Sequence, residues 1–495
     1  MAQETVYDWK ISIIAQYNKK WEPEYDELIL AVKKQIRISG DKLKFIVFTY
    51  FTNDNPGSKG VCSVVEYYNG MPAITEPALQ EPCDLYDPET LKGFFRDRVK
   101  PVKATWHTLI LWGHGAGLGY FPDISNSIAQ QNLFSEIFDP EPVTDPEKCR
   151  QAIGLQQAIE MIHYLQANLS LEADFSQALS KPVRFAEKVF AVKETAILKD
   201  LLKVISGKQL NEALSGLGEQ KTEIVIASTC YCQVFEIGYY LKDSVSVLVA
   251  AETSIPISGF NYTSFFNKLR LLDKPTANDA LAVKKYLREL AGNVVFNFHK
   301  KYTKPYLEKM LALDSTLVYE KEKIAISAND LYFYGTGGIN DVIDELGTIL
   351  LSIHTKRNPD FKSAVDNARM NCLDMVDSRK GIIDLLLVIS FLKIEFNKLG
   401  DKRMDAVLVK LEQIRLNCNL AFLTSALLGK PDPACKPCTQ NPQFLATFFP
   451  GTVNTDPQTA LYALFFKEPA GSNTIKISEP WTRFVREFAK DRLGI

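Results

Sequence analysis

The sequence lacks the features that place a chain in a nucleic-acid-binding or membrane class. Its 57 basic and 59 acidic side chains leave a net charge of −2, and no block of like charges forms a tail. No apolar run is long enough to span a bilayer. The first residues contain neither a basic nor an apolar segment of the secretory type. We therefore expect no nucleic-acid or membrane partner and a cytoplasmic location, or a secreted one if the sequence is a processed form.

Cysteine is sparse and odd in number. Nine cysteines are spread over 495 residues without a regular spacing, which disfavours a disulfide scaffold. Cys435 and Cys438 form an isolated C-x-x-C pair in a proline-rich stretch, whereas a zinc site needs four ligands. No second pair lies near them at a suitable spacing. We therefore predict two structural thiols and no metal ligands there, with a zinc site as the alternative.

The first half of the chain contains short, continuous apolar runs separated by helical patterns. The runs lie at 11–16, 44–50, 107–112, 222–228 and 245–251. Runs of this length that are rich in Val, Ile and Leu are typical of strands buried on both faces. Right-handed crossovers between such strands place helices on both sides of the sheet. The sequence therefore predicts an α/β fold with a mainly parallel sheet flanked by helices.

The pattern becomes mostly helical after residue 275. We predict one α/β domain at 1–275, with a long insertion at 121–220 between the third and fourth strands, and a mostly helical region at 276–495. A short strand at 460–466 and a helix end the chain. Helical patterns lie at 24–38, 150–168, 185–215, 276–300, 339–355, 362–376, 381–424 and 481–491.

Two predicted strands end in groups suited to nucleophilic chemistry. The third strand is followed by His114 between glycines, and Cys230 lies just past the last apolar residue of the fourth. In an open parallel sheet, reactive groups collect beyond the carboxyl ends of the strands. If the two strands are neighbours, the imidazole and the thiol face one cleft, as nucleophilic catalysis by cysteine requires. The N–H groups of Gly115 and Cys230 could then form an oxyanion hole.

Each of these residues also has an ordinary structural interpretation. A histidine between glycines can be part of a turn, and a cysteine that ends a buried strand can be a core residue. Cys232 is the rival nucleophile, and we assign it to the core because a helix should begin there. The remaining histidines are predicted to be structural or surface residues; they are His107, His163, His299 and His354.

The two segments resemble those of the clostripain family of cysteine peptidases, relatives of caspases, legumains and gingipains. The family's W-x-H-G-x-G turn matches 112–117, its nucleophile segment matches 228–232, and its I-P-x-x-G segment matches 255–259. Weaker matches cover most of the chain outside 121–205 and 356–440. The resemblance implies a caspase-like fold, a peptide or protein substrate, and endopeptidase activity through a thioester, with catalytic residues at the histidine and cysteine of these motifs.

The chain departs from the family at positions that set specificity. Where the family has an aspartate two residues before the nucleophile, this chain has Ser228, and Thr253 replaces an acid beside Glu252. The family aspartate helps to recognise basic side chains, and a buried cation without an acid is costly. We predict that Ser228, Glu252 and Thr253 contribute to substrate binding, and that the family preference for arginine or lysine is weakened.

The resemblance also bears on processing and on calcium. Clostripain-like enzymes are often cut between their histidine and cysteine segments, so we predict self-cleavage in the loop at 168–190. Arg184 is favoured over Lys181, because Pro182 follows the lysine. Some of these enzymes use calcium, but the sequence has no D-x-D-x-D-G loop to place it. We expect no cofactor to be required.

Two other functions stay open. A catalytically inactive family member that acts as a binding module is compatible with Ser228, although retention of both His114 and Cys230 argues against it. The glycine-rich run at 113–119 could instead bind phosphate. That run lacks the lysine of a P-loop, and Phe121-Pro122 stands where the helix should begin.

Overall fold

The computed structural model describes most of the chain outside the long insertion. The described residues are 5–52, 60–70, 81–115, 117–122, 204–253, 255–276, 279–313, 323–356, 358–372, 381–426, 444–451 and 477–493. The predicted cleavage loop at 168–190, the pair Cys435 and Cys438, and the predicted strand at 460–466 lie outside them.

A nine-stranded sheet forms the centre of the described structure. Its strands are β1 (Tyr7–Tyr17), β2 (Leu43–Phe51), β3 (Val61–Tyr67), β4 (Glu81–Pro82), β5 (Ala104–Trp112), β8 (Thr222–Ser228), β9 (Val245–Ala251), β10 (Lys323–Asp330) and β12 (Asn419–Ala426). Two small ribbons pair β6 (Gly119–Tyr120) with β7 (Ile205–Ser206), and β11 (Ile382–Asp384) with β13 (Ala446–Phe448).

The strand order is β12-β10-β9-β8-β5-β1-β2-β3-β4. The five central strands, from β9 to β2, are parallel to one another. Antiparallel strands extend the sheet at both edges. The five parallel strands coincide with the five apolar runs of the sequence, because strands covered on both faces need continuous apolar residues. The predicted caspase-like fold, a mainly parallel sheet flanked by helices, is confirmed.

Helices cover both faces of the sheet. In chain order they are α1 (Glu22–Ser39), α2 (Pro88–Phe94), α3 (Gly207–Leu214), α4 (Phe235–Leu241), α5 (Tyr262–Leu271), α6 (Ala280–Leu313), α7 (Ile339–Lys356), α8 (Pro359–Asn371), α9 (Leu385–Lys398), α10 (Arg403–Cys418) and α11 (Glu479–Leu493). Helices α1, α5 and α6 share one apolar core with the sheet. The others share the core on the opposite face, which also holds most of the C-terminal region.

The C-terminal region contributes strands as well as helices. The helix predicted over 381–424 is wrong at both ends, where the chain forms β11 and β12 around α9 and α10. Strand β12 pairs with β10, and β10 pairs with β9, so both extend the main sheet. Pairing with a neighbouring strand overrides local helical preference there. The division of the chain near residue 275 stays a prediction.

A disulfide and the character of the helices are two further features of the described structure. A disulfide joins Cys62 in β3 to Cys83, just after β4, which the sequence analysis did not predict. Among the described helices, none combines the length and the apolar character that a membrane crossing requires.

Candidate active site

The fold brings the ends of two strands together. Strands β5 and β8 are parallel neighbours, and their register places Trp112 beside Ser228. The Gly113 N–H donates a hydrogen bond to the Ser228 carbonyl oxygen at 3.3 Å, so the loops after both strands start side by side. His114 and Cys230 therefore leave the same edge of the sheet, as the parallel arrangement predicts.

His114 and Cys230 line one small cleft. Its described walls also include Gly113, Ser228 and the segment Ile255-Pro256-Ile257. The enclosed space is about 20 Å³, which is room for about one water molecule. The two side chains are only 6% and 7% exposed. The cleft as described is narrow, and a substrate side chain fits only if its walls move apart.

A strained turn aims the thiol of Cys230 into the cleft. Tyr231 has φ of 57°, in the left-handed region that bulky residues rarely adopt. Its N–H is held by the Thr253 carbonyl oxygen at 3.1 Å. The Cys230 Sγ accepts the Ile255 N–H at 3.4 Å and donates to the Ile255 carbonyl oxygen at 3.6 Å. Both contacts fix the thiol against the cleft wall.

The second cysteine of this segment points the other way. Cys232 is fully buried in the core on the opposite face of the sheet from Cys230. Its thiol donates to the carbonyl oxygens of Gly119 and Cys230, at 3.6 Å and 3.2 Å. It is not among the residues that line the cleft. Of the two thiols, only that of Cys230 borders the cleft.

Glycine is required where the histidine loop passes its neighbours. A Cβ on Gly115 would overlap the Cys230 carbonyl oxygen and lie 2.9 Å from the Cys230 nitrogen. Gly113 has φ of 146°, and a Cβ there would lie 2.9 Å from the Gln16 carbonyl oxygen. The backbones of Gly115 and Cys230 therefore lie directly against each other. Two amides that could stabilise one oxyanion need this close approach.

The imidazole of His114 is packed against an aromatic ring. Trp21, from the turn after β1, contacts it edge-on with 4.1 Å between ring centroids. Burial lowers the pKa of His114 to about 3, and the nearby charge of Lys20 acts in the same direction. The imidazole is therefore neutral near pH 7. The sequence carries no signal for the contact between Trp21 and His114, because it joins positions far apart in the chain.

Ser228 stands at the cleft beside a tyrosine hydroxyl. A Cβ on Gly259 would overlap the Ser228 Oγ and would also clash with the Tyr262 hydroxyl, so both oxygens border the same point. Burial raises the pKa of Tyr262 above its usual range, while the Ser228 hydroxyl acts in the opposite direction. The tyrosine therefore stays protonated. The position of the family acid is filled here by two neutral hydroxyl groups.

The other two predicted substrate-binding residues lie away from the cleft lining. The Thr253 Oγ1 accepts the Ala325 N–H at 3.0 Å, so this side chain faces β10. Glu252 is fully buried beside Asp384. Burial raises the pKa of Glu252 well above its usual value, and the Asp384 carboxyl adds to the rise. Of the described residues that line the cleft, none carries a carboxylate.

No ion-binding cluster accompanies the cleft in the described part of the chain. There, no three or more His, Cys, Asp and Glu side chains are grouped to hold a metal ion. Calcium, which the family resemblance allows, thus lacks a ligand set of that kind among these residues, and we assign it no chemical step.

Comparisons with solved structures return clostripain-type proteases of low similarity. A secreted C11 cysteine protease from Bacteroides thetaiotaomicron, iotapain, is 11% identical, with a TM-score of 0.49 over 92% of this chain and 96% of that one. An inactive zymogen C11 protease from Parabacteroides distasonis is 13% identical, with a TM-score of 0.45 over 94% and 96% of the two chains. Similarity at this level is uninformative about activity and substrate.

The sequence itself carries the stronger evidence. No curated protein matches the chain. The model of the clostripain family, however, matches residues 199–333, from just before β7 to just past β10. This segment contains Cys230, Ser228 and the cleft wall at 255–257, while His114 precedes it. Over these residues the chain matches the clostripain family of cysteine proteases, as the resemblance of its motifs predicted.

Proposed function

We propose that the chain is a cysteine endopeptidase with Cys230 as nucleophile and His114 as acid–base partner. The observation that carries the proposal is the shared cleft: the thiol and the imidazole leave the ends of two adjacent parallel strands and line one cavity. Most buried cysteines are core residues, as Cys232 is. A thiol turned into a cleft beside a neutral imidazole has the arrangement that nucleophilic catalysis needs.

In the acylation step, the Cys230 Sγ attacks the carbonyl carbon of the scissile peptide bond. The thiol proton passes to the neutral imidazole of His114, and the carbonyl oxygen becomes an oxyanion. The N–H groups of Gly115 and Cys230, whose backbones are packed together, supply the stabilising donors. His114 then returns the proton to the leaving amine as the C–N bond breaks, which leaves a thioester on Cys230.

Deacylation repeats the sequence with water as the nucleophile. His114 takes a proton from the water as its oxygen attacks the thioester carbonyl. The C–S bond then breaks, the proton returns to the sulfur, and the carboxylic acid product leaves. Throughout, His114 acts without a carboxylate among the described residues of the cleft wall. Trp21 supports the imidazole by edge-on packing.

Labelling with a thiol-reactive peptide tests the assignment directly. A peptidyl chloromethyl ketone with a small neutral terminal residue is expected to alkylate Cys230 with loss of chloride and to form one adduct, measured by intact mass and peptide mapping. Cys232, Cys372 and Cys418 do not line the cleft and should stay unlabelled in the folded protein. Unfolding before labelling is the control, since it should expose every thiol.

The labelling result also separates the two functional hypotheses. An adduct on Cys232, or on several thiols, contradicts the proposed nucleophile. Absence of any adduct with a panel of peptides, together with competitive binding of the same peptides, favours the inactive binding module.

The lowered pKa of His114 predicts activity that persists into acid. Only the neutral imidazole can accept the thiol proton, and its pKa is about 3 rather than near 6.5. With an uncharged substrate, kcat/KM at pH 5 should stay within about twofold of its value at pH 7. Lys20→Gln, which removes a charge that lowers this pKa, should move the acid limb to higher pH.

A stability measurement must accompany the pH profile. Because the pKa of His114 is lower in the folded than in the unfolded chain, the unfolded chain binds more protons between about pH 3 and 6.5. Stability from this group is therefore lost as the pH falls through that range. Thermal unfolding at each pH distinguishes loss of fold from loss of catalysis. A fall in kcat/KM below pH 6.5 at constant melting temperature contradicts the lowered pKa of His114 and places that pKa near its usual value.

Processing and location follow as expectations from the same proposal. Cleavage within 168–190 remains predicted, with Arg184 as the favoured site, and falls on residues outside those described. The disulfide between Cys62 and Cys83 supports the secreted alternative, because disulfides persist in oxidising compartments.

A further inference from the structure

One wall of the cleft is a loop rather than a strand or helix. Ile255, Pro256 and Ile257 line the cavity. The loop then turns back through Gly259, which has φ of 59° and whose N–H donates to the Pro256 carbonyl oxygen at 2.9 Å. Gly259 also contacts the hydroxyl of Ser228 on the opposite side of the site. The position of this loop therefore decides how wide the cleft is.

A lysine from a distant helix holds the far end of that loop. The Nζ of Lys301, in α6, donates to the carbonyl oxygens of Ser258, Gly259 and Phe260, at 2.9, 3.3 and 3.4 Å. An ammonium group has three N–H donors, which suits it to bind several carbonyl oxygens of one loop at once. Hydrogen bonds from a charged donor are stronger than neutral ones.

The ammonium sits in a partly buried setting. Burial lowers the pKa of Lys301 to about 8, and the charge of Glu27 on α1 acts in the opposite direction. The group is therefore mostly charged near pH 7. A partly buried charge is tolerated where polar partners replace its hydration, and here the carbonyl oxygens of the loop are those partners.

An aromatic contact joins the same two elements. Phe298, one helical turn before Lys301, packs edge-on against Phe260 with 5.5 Å between ring centroids. Phe298 fixes where the loop meets α6, but a ring contact leaves the direction of the preceding carbonyl groups undefined. The three hydrogen bonds from Lys301 fix those directions, and through them the path of residues 258–260.

We infer that Lys301 is a positioning residue for substrate binding, which sets the cleft wall at 255–260 by binding three successive carbonyl oxygens. The expected effect of Lys301 on substrate binding rests on the proposed peptidase function, whereas its expected effect on the position of the loop does not. Lys301 touches neither the thiol nor the imidazole among the described contacts. Its loss should therefore weaken substrate binding more than the chemical steps.

The test compares Lys301→Met with Lys301→Arg and with Lys285→Met. Methionine keeps the apolar length and removes the donors, arginine keeps a charged donor group, and Lys285 is an exposed lysine of the same helix. In Lys301→Met, amide hydrogen exchange in 255–260 should accelerate about tenfold or more, because the loop loses three hydrogen bonds. For a peptide substrate, KM should rise about tenfold while kcat stays within about twofold.

Lys301→Arg should recover most of the exchange protection and of the KM, and Lys285→Met should behave as wild type. Unchanged exchange in 255–260 of Lys301→Met overturns the inference. Faster exchange with an unchanged KM also overturns it, since the lysine would then serve the fold alone. If the wild-type chain hydrolyses no peptide, the proposed function fails, while the exchange comparison still decides whether Lys301 fixes the loop.

Discussion

Cys230→Ala and His114→Ala are each expected to reduce kcat/KM for peptide hydrolysis by about 10⁴-fold or more. Without the thiol no thioester can form, and without the imidazole the described cleft lining holds no side-chain base to take the thiol proton. Because both residues act in one step, the double variant should be no worse than either single variant. Hydrolysis of a fluorogenic peptide panel by purified protein measures all three.

Cys232→Ala is the matched control for this prediction. It removes the neighbouring thiol from the core, so a modest fall in melting temperature is expected with kcat/KM close to wild type. Circular dichroism and thermal unfolding should show that all variants are folded. Wild-type turnover in Cys230→Ala, together with an inactive Cys232→Ala, would exchange the roles of the two cysteines.

The central sheet could be predicted because its strands are covered on both faces. Such strands require unbroken apolar runs, and the five parallel strands are the five that the sequence predicted. Strands β3, β10 and β12 were missed or assigned as helix. Each depends on pairing with a neighbour for its conformation, and a single sequence does not reveal which segment will pair.

The pairing of His114 with Cys230 could be predicted from strand ends, whereas the directions of the surrounding side chains could not. Alternation along β9 puts Val249 and Ala251 in one core and Ala250 in the other. Glu252 continues the alternation on the side of Ala250, beside Asp384, and so points away from Cys230. The direction of the Glu252 side chain can be predicted only when it is known which of the two cores borders the cleft. Only the assembled fold shows this.

The residues that support the site were beyond sequence reasoning for another reason. Trp21 and Lys301 carry no local motif, and they contact His114 and the loop at 258–260, respectively, from positions remote in the chain. The sequence also gives no sign of the left-handed turn at Tyr231, because a tyrosine rarely adopts that conformation. These features follow from tertiary packing, which local pattern and residue spacing do not specify.

Substrate preference is expected to differ from the arginine and lysine preference of the resembled family. The described cleft residues offer the hydroxyl of Ser228 and apolar groups, with no carboxylate. A lysine or arginine side chain bound there would lose hydration without gaining an ion pair. On a peptide panel that differs only in the residue before the scissile bond, kcat/KM for arginine should exceed that for alanine by less than about tenfold.

Ser228→Asp should create the missing selectivity. It places a carboxylate at the cleft, beside the protonated hydroxyl of Tyr262, which can donate a hydrogen bond to it. The ratio of kcat/KM for arginine over alanine should rise at least about thirtyfold, the lower end of what a close charge pair contributes. Ser228→Asn is the matched control, since it has the same shape without the charge, and should leave the ratio near the wild-type value.

Two outcomes would contradict this account of specificity. Strong arginine selectivity in the wild-type chain would mean that a carboxylate elsewhere in the molecule reaches the bound side chain. Glu252→Gln is then the first substitution to make, and the structure predicts no change in the ratio, because Glu252 lies beside Asp384 on the other face of the sheet. Equal gains in Ser228→Asp and Ser228→Asn would show that the shape of the cleft, rather than its charge, decides which side chain is accepted.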